Sequence, residues 1–244
     1  MSGSCFADRL GEIITLTPGE QAALARLEER ERQLRRGAVL LRERDPAGEM
    51  FILKSGMMMS SVMLADGSRQ ILRFHFPGDM LSVASLVYRE SAETITALSA
   101  CTVCPFERSL FSSVIGEHPR LAALMMVLNQ IERAALTDRL AALGRTSAKA
   151  RVAATLIELR NRRRVLDRDI TSRFTLGLTQ EEIGDATGLT AVHVNRMLRQ
   201  LEDEGMIARE NGNVTFTDER ALLRAANFVD RYEGLDLGWL PAAK

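Results

Sequence analysis

The stretch from Leu178 to Ile207, LTQEEIGDATGLTAVHVNRMLRQLEDEGMI, constrains the chain more than any other. Its apolar residues recur at helical spacing on both sides of Gly188, a pattern of two short helices joined at a tight turn. Ile183 and Ala186 give the first helix an apolar side, and Thr190 is placed to cap a second helix running to about Glu204. On that second helix Val194, Met197, Leu198 and Leu201 form a stripe to bury. Val192, Asn195, Arg196 and Arg199 fall at i, i+3, i+4 and i+7 on the opposite face. Amide and guanidinium donors on such a face suit base edges and phosphates in a major groove. The expectation is a helix-turn-helix that binds double-stranded DNA, with the rest of the chain controlling it.

Charge balance neither supports nor opposes this, because 32 basic and 32 acidic residues give a formal net charge of zero. The distribution is more informative. Arg145 to Arg173 holds nine Lys or Arg against three acids, Glu158, Asp167 and Asp169, just before the two-helix stretch. No apolar run reaches membrane-spanning length and the start lacks a basic segment followed by an apolar core, so a cytoplasmic protein without membrane association is expected. Three cysteines, Cys5, Cys101 and Cys104, are an odd number that fits a reducing compartment better than a disulfide framework.

In chain order, residues 1 to about 36 read as helical, with Thr17-Pro18-Gly19-Glu20 opening a segment and the charge run Glu28 to Arg36 as a solvated helix face. From Gly37 to about Glu107 the pattern becomes short extended segments. Val39 to Leu41, Met50 to Lys54, Met57 to Leu64, Arg69 to Phe76, Thr94 to Ala100 and Thr102 to Phe106 are separated by turn signals such as Asp66-Gly67 and Pro77-Gly78-Asp79. Regular short strands of this kind predict an antiparallel jelly roll or barrel. Past His118-Pro119 a helical pattern persists until Gly144. Its wide stripe, Leu121, Leu124, Met125, Leu128, Ile131, Ala135, Leu136, Leu140 and Leu143, must bury against more than one surface: the barrel, and its own copy in a second chain. A helix from Ser147 to about Arg163, the two-helix stretch, a hairpin around Asn211-Gly212 and a last helix capped by Thr217 or Asp218 complete a winged helix. The fold class is therefore α+β. The expected domains are a jelly roll over 1–116, a dimerisation helix over 117–144, a winged helix-turn-helix over 145–231, and a tail over 232–244, with its lone Trp239, that has no assignment.

This order of parts, with MFILKSG (Met50 to Gly56), LADGSRQIL (Leu64 to Leu72), FHFPGD (Phe74 to Asp79) and TSAKARVAATLIEL (Thr146 to Leu159), resembles the CRP/FNR superfamily of bacterial transcription regulators. FHFPGD looks more like the FNR and FixK branches than the catabolite-activator branch. By position, the resemblance implies that Thr179, Gln180 and Thr190 lie near phosphates, that Arg196 matches the guanine-reading arginine, and that His193 and Asn195 hold neighbouring recognition positions. The residue reading adds Arg199, and Val192 as a contact for a thymine methyl. Where FNR and FixK-like regulators carry a glutamate and a serine, this chain has Val192 and Asn195, so its preferred half-site is expected to differ.

Cyclic-nucleotide-binding members hold the ribose with a Gly-Glu pair and the phosphate with an Arg-Ser or Arg-Thr pair, which fall here on Ser82-Val83 and about Ser91-Ala92. An unpaired phosphate in a partly buried pocket costs several kcal/mol, so tight cyclic-AMP binding is not expected. No cofactor is expected either. Iron-sulfur clusters take about four thiolates, and Cys101 and Cys104, three apart on a strand, point to opposite faces. Haem ligation through Cys104, His75 or His118, redox modification of one cysteine, and copper at Met57-Met58-Met59 remain as alternatives to ordinary packing. The expected function is a homodimeric, non-enzymatic regulator, Leu121, Leu124, Met125, Leu128, Ile131 and Ala135 at its dimer seam, bound to a near-palindromic site and to RNA polymerase if it activates. The competing readings are a cupin-type metalloenzyme, for which His75 is the only histidine in the strands, and a cyclic-nucleotide module acting on a protein partner.

Overall fold

Alternating apolar and polar residues over the first half of the chain produce eight short strands: β1 (Arg32–Leu34), β2 (Val39–Leu41), β3 (Glu49–Ser55), β4 (Met58–Met63), β5 (Arg69–His75), β6 (Met80–Leu81), β7 (Thr94–Ala97) and β8 (Cys101–Glu107). In the computed structural model, which describes residues 3–243, they form two four-stranded sheets, ordered β1-β8-β3-β6 and β2-β7-β4-β5, with antiparallel pairing. Phe51, Leu53, Met58, Leu81, Ile95, Ala97, Cys101 and Val103 pack together from both sheets. The other faces of β3 and β8 are buried as well. Met50, Ile52, Cys104 and Phe106 pack with Phe6 and Leu10 of α1 (Cys5–Gly11), Leu24 of α2 (Pro18–Ala25), Phe111 and Val114 of α3 (Arg108–Glu117), and the start of α4 (Pro119–Arg145).

The run Glu28 to Arg36 is not a helix face. A 3-10 turn, Arg26–Glu28, ends the helical part, and β1 pairs with β8 through Arg32↔Val103 and Leu34↔Cys101. Glu28 is buried, its carboxylate accepting from the Ser4 hydroxyl at 2.6 Å and the amides of Cys5 at 3.1 Å and Phe6 at 3.0 Å, so it serves the open N-terminus of α1. The β7 strand stops at Ala97 rather than Ala100, because Leu98 and Ser99 turn to bond Met57. Gly144 does not end the long helix. It lies in the last turn of α4, where an interior glycine costs only about 1 kcal/mol, and Ser147 caps the next helix.

The residues group into two compact units, 3–62, 72–133 and 232–243 in one and 63–71 with 134–231 in the other. In the first unit, the tail packs Leu240 on the core of Phe6 and Leu10, and Tyr232 meets Arg9 both through its hydroxyl and through its ring, 4.7 Å from the guanidinium. Trp239 stays exposed. In the second unit, α5 (Ala148–Leu166), β9 (Arg173–Thr175), α6 (Gln180–Thr187), α7 (Ala191–Asp203), β10 (Ile207–Glu210), β11 (Asn213–Phe216) and α8 (Glu219–Ala226) follow in order. Their strands form the sheet β10-β11-β9, whose third strand was not foreseen because it pairs with β11 some forty residues on. Asn211 and Gly212 both have positive φ, 50° and 77°, which makes the tight hairpin between β10 and β11. Asp218, not Thr217, caps α8. Among the described residues no helix is long and apolar enough to cross a membrane.

Candidate nucleic-acid interface

The two helices α6 and α7 are each fixed at their first turn by the side chain before them. Thr179 accepts from Glu182 N at 3.1 Å while the Glu182 carboxylate accepts from Thr179 N at 2.7 Å, a reciprocal cap. Thr190 accepts from His193 N at 3.3 Å. The turn between them depends on two glycines. Gly188 ends α6 in the left-handed region, and a Cβ on Gly184 would sit 2.4 Å from the Leu189 carbonyl oxygen, so α6 and the turn approach closely only through glycine. Gly188 is visible in the sequence as a turn residue, whereas the role of Gly184 appears only once the turn is folded.

Val194, Met197, Leu198 and Leu201 are buried, as their spacing predicts, and each such burial contributes about 1.5–3 kcal/mol. That anchors α7 with its other side outward. Val192 is 82% exposed, Arg196 and Arg199 are exposed, and His193 and Asn195 are half-buried. Thr179, Gln180 and Thr190 are exposed along the same end of the pair, and Gln180 Nε2 donates to Asn195 Oδ1 at 3.4 Å. Arg196 and Arg199 bond to none of the described residues, so no acidic neighbour occupies them.

The basic run of α5 behaves differently. Arg151 donates to the carbonyls of Leu143 and Thr146, and Arg160, 3% exposed, to Thr171 O and the Glu219 carboxylate. Arg163 donates to Leu176 O, and burial lowers its pKa. Lys149 pairs with Glu204 at the end of α7 at 2.7 Å. Much of the positive stripe counted in the sequence is therefore spent inside the unit, leaving Arg145, Arg164, Arg168 and Arg173 exposed. A contact the sequence gave no sign of comes from the hairpin tip 63–71: Arg69 and Gln70 reach Asp185 of α6, by its carboxylate and its carbonyl, at 2.7 Å each.

A cyclic nucleotide-binding domain model matches residues 31–118, and a Crp-like helix-turn-helix domain model matches residues 150–225. The nitrogen fixation regulation protein FixK of Azorhizobium caulinodans is 31% identical over 179 residues, 73% of this chain and 71% of that protein. This chain belongs to the CRP/FNR family. It is a transcription regulator of that type, with a helix-turn-helix DNA-binding domain, on the FNR/FixK-like branch. The fumarate and nitrate reduction regulatory protein of Escherichia coli K12 is 27% identical over 223 residues, 91% of this chain and 88% of that one. The solved structure of FixK2 from Bradyrhizobium japonicum superposes with a TM-score of 0.72 at 25% identity, covering 82% of this chain and 98% of that one.

The resemblance aligns the family's ribose and phosphate pairs with Ser82-Val83 and about Ser91-Ala92, and this CRP/FNR chain has no charged side chain at those four positions. Ser82 is buried in a left-handed conformation, and Ser91 donates its hydroxyl to Glu93 O at 2.7 Å. The cysteines of β8 face opposite ways, Cys101 toward the core with Phe51 and Cys104 toward α1 and α2. Burial first, then Glu28, pushes the Cys104 thiol up to about 11 and raises Cys5 in the same way, so both are protonated at neutral pH. His75 is buried against the Ser60 hydroxyl at 2.6 Å, and His118 ends α3. Among the described residues no three His, Cys, Asp or Glu gather as a metal site.

Proposed function

We propose that this protein is a homodimer that reads a near-palindromic operator, laying one α7 in the major groove of each half-site, about one helical turn apart. The observation that carries this is Arg196: an exposed guanidinium bonded to no described residue, one position from Asn195 on a helix whose other side is locked in the core. Its planar fork matches guanine O6 and N7, with Val192 against a thymine methyl, His193 and Asn195 at flanking bases, and Thr179, Gln180, Thr190 and Arg199 toward phosphates. Arg196→Ala is expected to lose about tenfold to a hundredfold in preference for a selected site over random duplex while its unfolding transition stays in place. Unchanged selectivity in a gel-shift titration would refute the role.

Second copies meet, in this reading, along α4. Leu121, Leu124, Met125 and Ile131 are already buried within their own chain and Leu128 packs on the same core, whereas Ala135, Met126, Leu136 and Leu140 are exposed. At 100° per residue Met126, Leu136 and Leu140 share one face, and that face is the seam we assign to the dimer. A Leu136→Glu/Leu140→Glu double variant should sediment as a monomer at concentrations where the wild type is a dimer. A wild-type monomer with intact operator binding would overturn the dimer. The protein acts in the cytoplasm, with no cyclic AMP in its jelly roll, and contacts RNA polymerase where it activates. Its lack of a charged pair at Ser82-Val83 and Ser91-Ala92 supports the second point, and calorimetry with cyclic AMP tests it.

A further inference from the structure

The contact between Gln180 and Asn195 bears on which base this protein reads beside the guanine of Arg196. Gln180 is the first residue of α6, and its amide nitrogen donates to Asn195 Oδ1 at 3.4 Å, across the joint between the two helices. Asn195 carries a carbonyl oxygen with two lone pairs at one corner of its planar amide and an NH2 group with two donors at the other, so which corner faces the groove decides what it reads. An asparagine that reads adenine must turn both outward, since adenine N6 donates to its oxygen while N7 accepts from its nitrogen. Here the oxygen is drawn toward α6, and the NH2 group is the edge left for the groove. Its neighbours do not change this balance: Val192 offers only methyl groups and Arg196 only further donors.

We propose that Gln180 is a specificity-determining positioning residue: by holding the Asn195 oxygen, it makes Asn195 a donor that selects a keto base, guanine O6 or thymine O4, over adenine or cytosine. The inference rests on the reading of α7 as the groove-reading helix. Cytosine is rejected because its N4 amino group meets another donor, and adenine because only N7 is satisfied. The geometry depends on two amides in different helices, Gln180 at the first position of α6 and Asn195 at the fifth of α7, which explains why helix periodicity alone does not reveal it.

The test is selection of bound duplexes from random DNA by the full-length wild type, followed by competition with all four bases at each half-site position, repeated with Gln180→Ala and Asn195→Asp. The wild type is expected to favour keto bases by about tenfold at the position beside the Arg196 guanine. Gln180→Ala should shift that one position toward adenine and leave the others unchanged. Asn195→Asp keeps the acceptor for Gln180 and replaces the donor with an acceptor, so it should favour amino bases there. A wild-type preference for adenine, or a Gln180→Ala variant whose relative base preferences stay those of the wild type, however much affinity its lost phosphate contact removes, overturns the proposal. If the wild type selects no sequence at all, it is the assignment of α7 as the reading helix that fails. Matching unfolding midpoints for the three proteins exclude misfolding as the source of any shift.

Discussion

The arginines of α5 and those of α7 belong to the same compact unit and have opposite fates. Arg151, Arg160 and Arg163 bend back onto carbonyls and onto Glu219, while Arg196 and Arg199 extend from the surface without a partner among the described residues. The difference shows that a count of positive charge does not locate a nucleic-acid face. A guanidinium whose donors are satisfied inside the protein has little to offer a phosphate, and it has already been desolvated. One that remains hydrated can exchange its counterions for DNA. Arg145 to Arg173 holds nine basic residues against three acids, yet Arg151, Arg160 and Arg163 within it are structural.

The strongest way to break this contrast is Arg160→Ala. The guanidinium lies 5.0 Å from the Phe216 ring centre and donates to Thr171 O at 3.0 Å, tying α5 to the wing sheet and to α8 through Glu219. Its removal opens a gap under Phe216 and is expected to cost about 3 kcal/mol. The loss would appear as a lower denaturant midpoint, with DNA binding falling only as the folded fraction falls and base preference unchanged in what stays folded. A variant as stable as wild type, but weaker on DNA, would move Arg160 to the α7 group.

What could be read in the sequence was local. The cap at Thr190, the turn at Gly188, the stripe of α7 and the Asn211-Gly212 turn each depend on residues within a few positions, and all were legible. Six of the eight jelly-roll strands were legible for the same reason. Glu28 was misread because its charge run resembles a wet helix face until Ser4 and Phe6, more than twenty residues earlier, are folded onto it. β1, β6 and β9 were missed because their partners, β8, β3 and β11, lie far along the chain. The tail had no periodicity to read, and its place is set by Arg9 and by the core around Phe6. Likewise, the sequence could say that α5 is basic but not that its arginines are already engaged.

Lys149 is an intermediate case, a surface cation with one partner. It donates to both Glu204 oxygens at 2.7 and 2.8 Å, and that bond, followed by one from Gln200, lowers the Glu204 pKa. A lowered carboxyl contributes stability that is present above the ordinary glutamate value and is lost as pH falls through the folded one. Lys149→Met should therefore cost about 0.5 kcal/mol at neutral pH, as exposed pairs do, and the gap to wild type should close as the pH drops below about 4. A gap that is independent of pH would mean that the lysine stem, not its charge, holds α5 to α7.

At the far end of the series, Arg199→Ala should leave stability within about 0.5 kcal/mol of wild type, because that exposed side chain bonds to none of the described residues. Its effect should be confined to DNA. If Arg199 meets a phosphate, one fewer counterion is released on binding, so the slope of log affinity against log salt falls by about 1 and the loss is the same for every sequence tested. If Arg199 meets a base instead, the slope still changes but the loss concentrates at one position of the half-site. Arg160→Ala, measured on its folded fraction, should leave the slope unchanged. A slope altered by Arg160→Ala and unaffected by Arg199→Ala would reverse the assignment of the two helices, since the partnered arginine would then be the one that DNA draws outward.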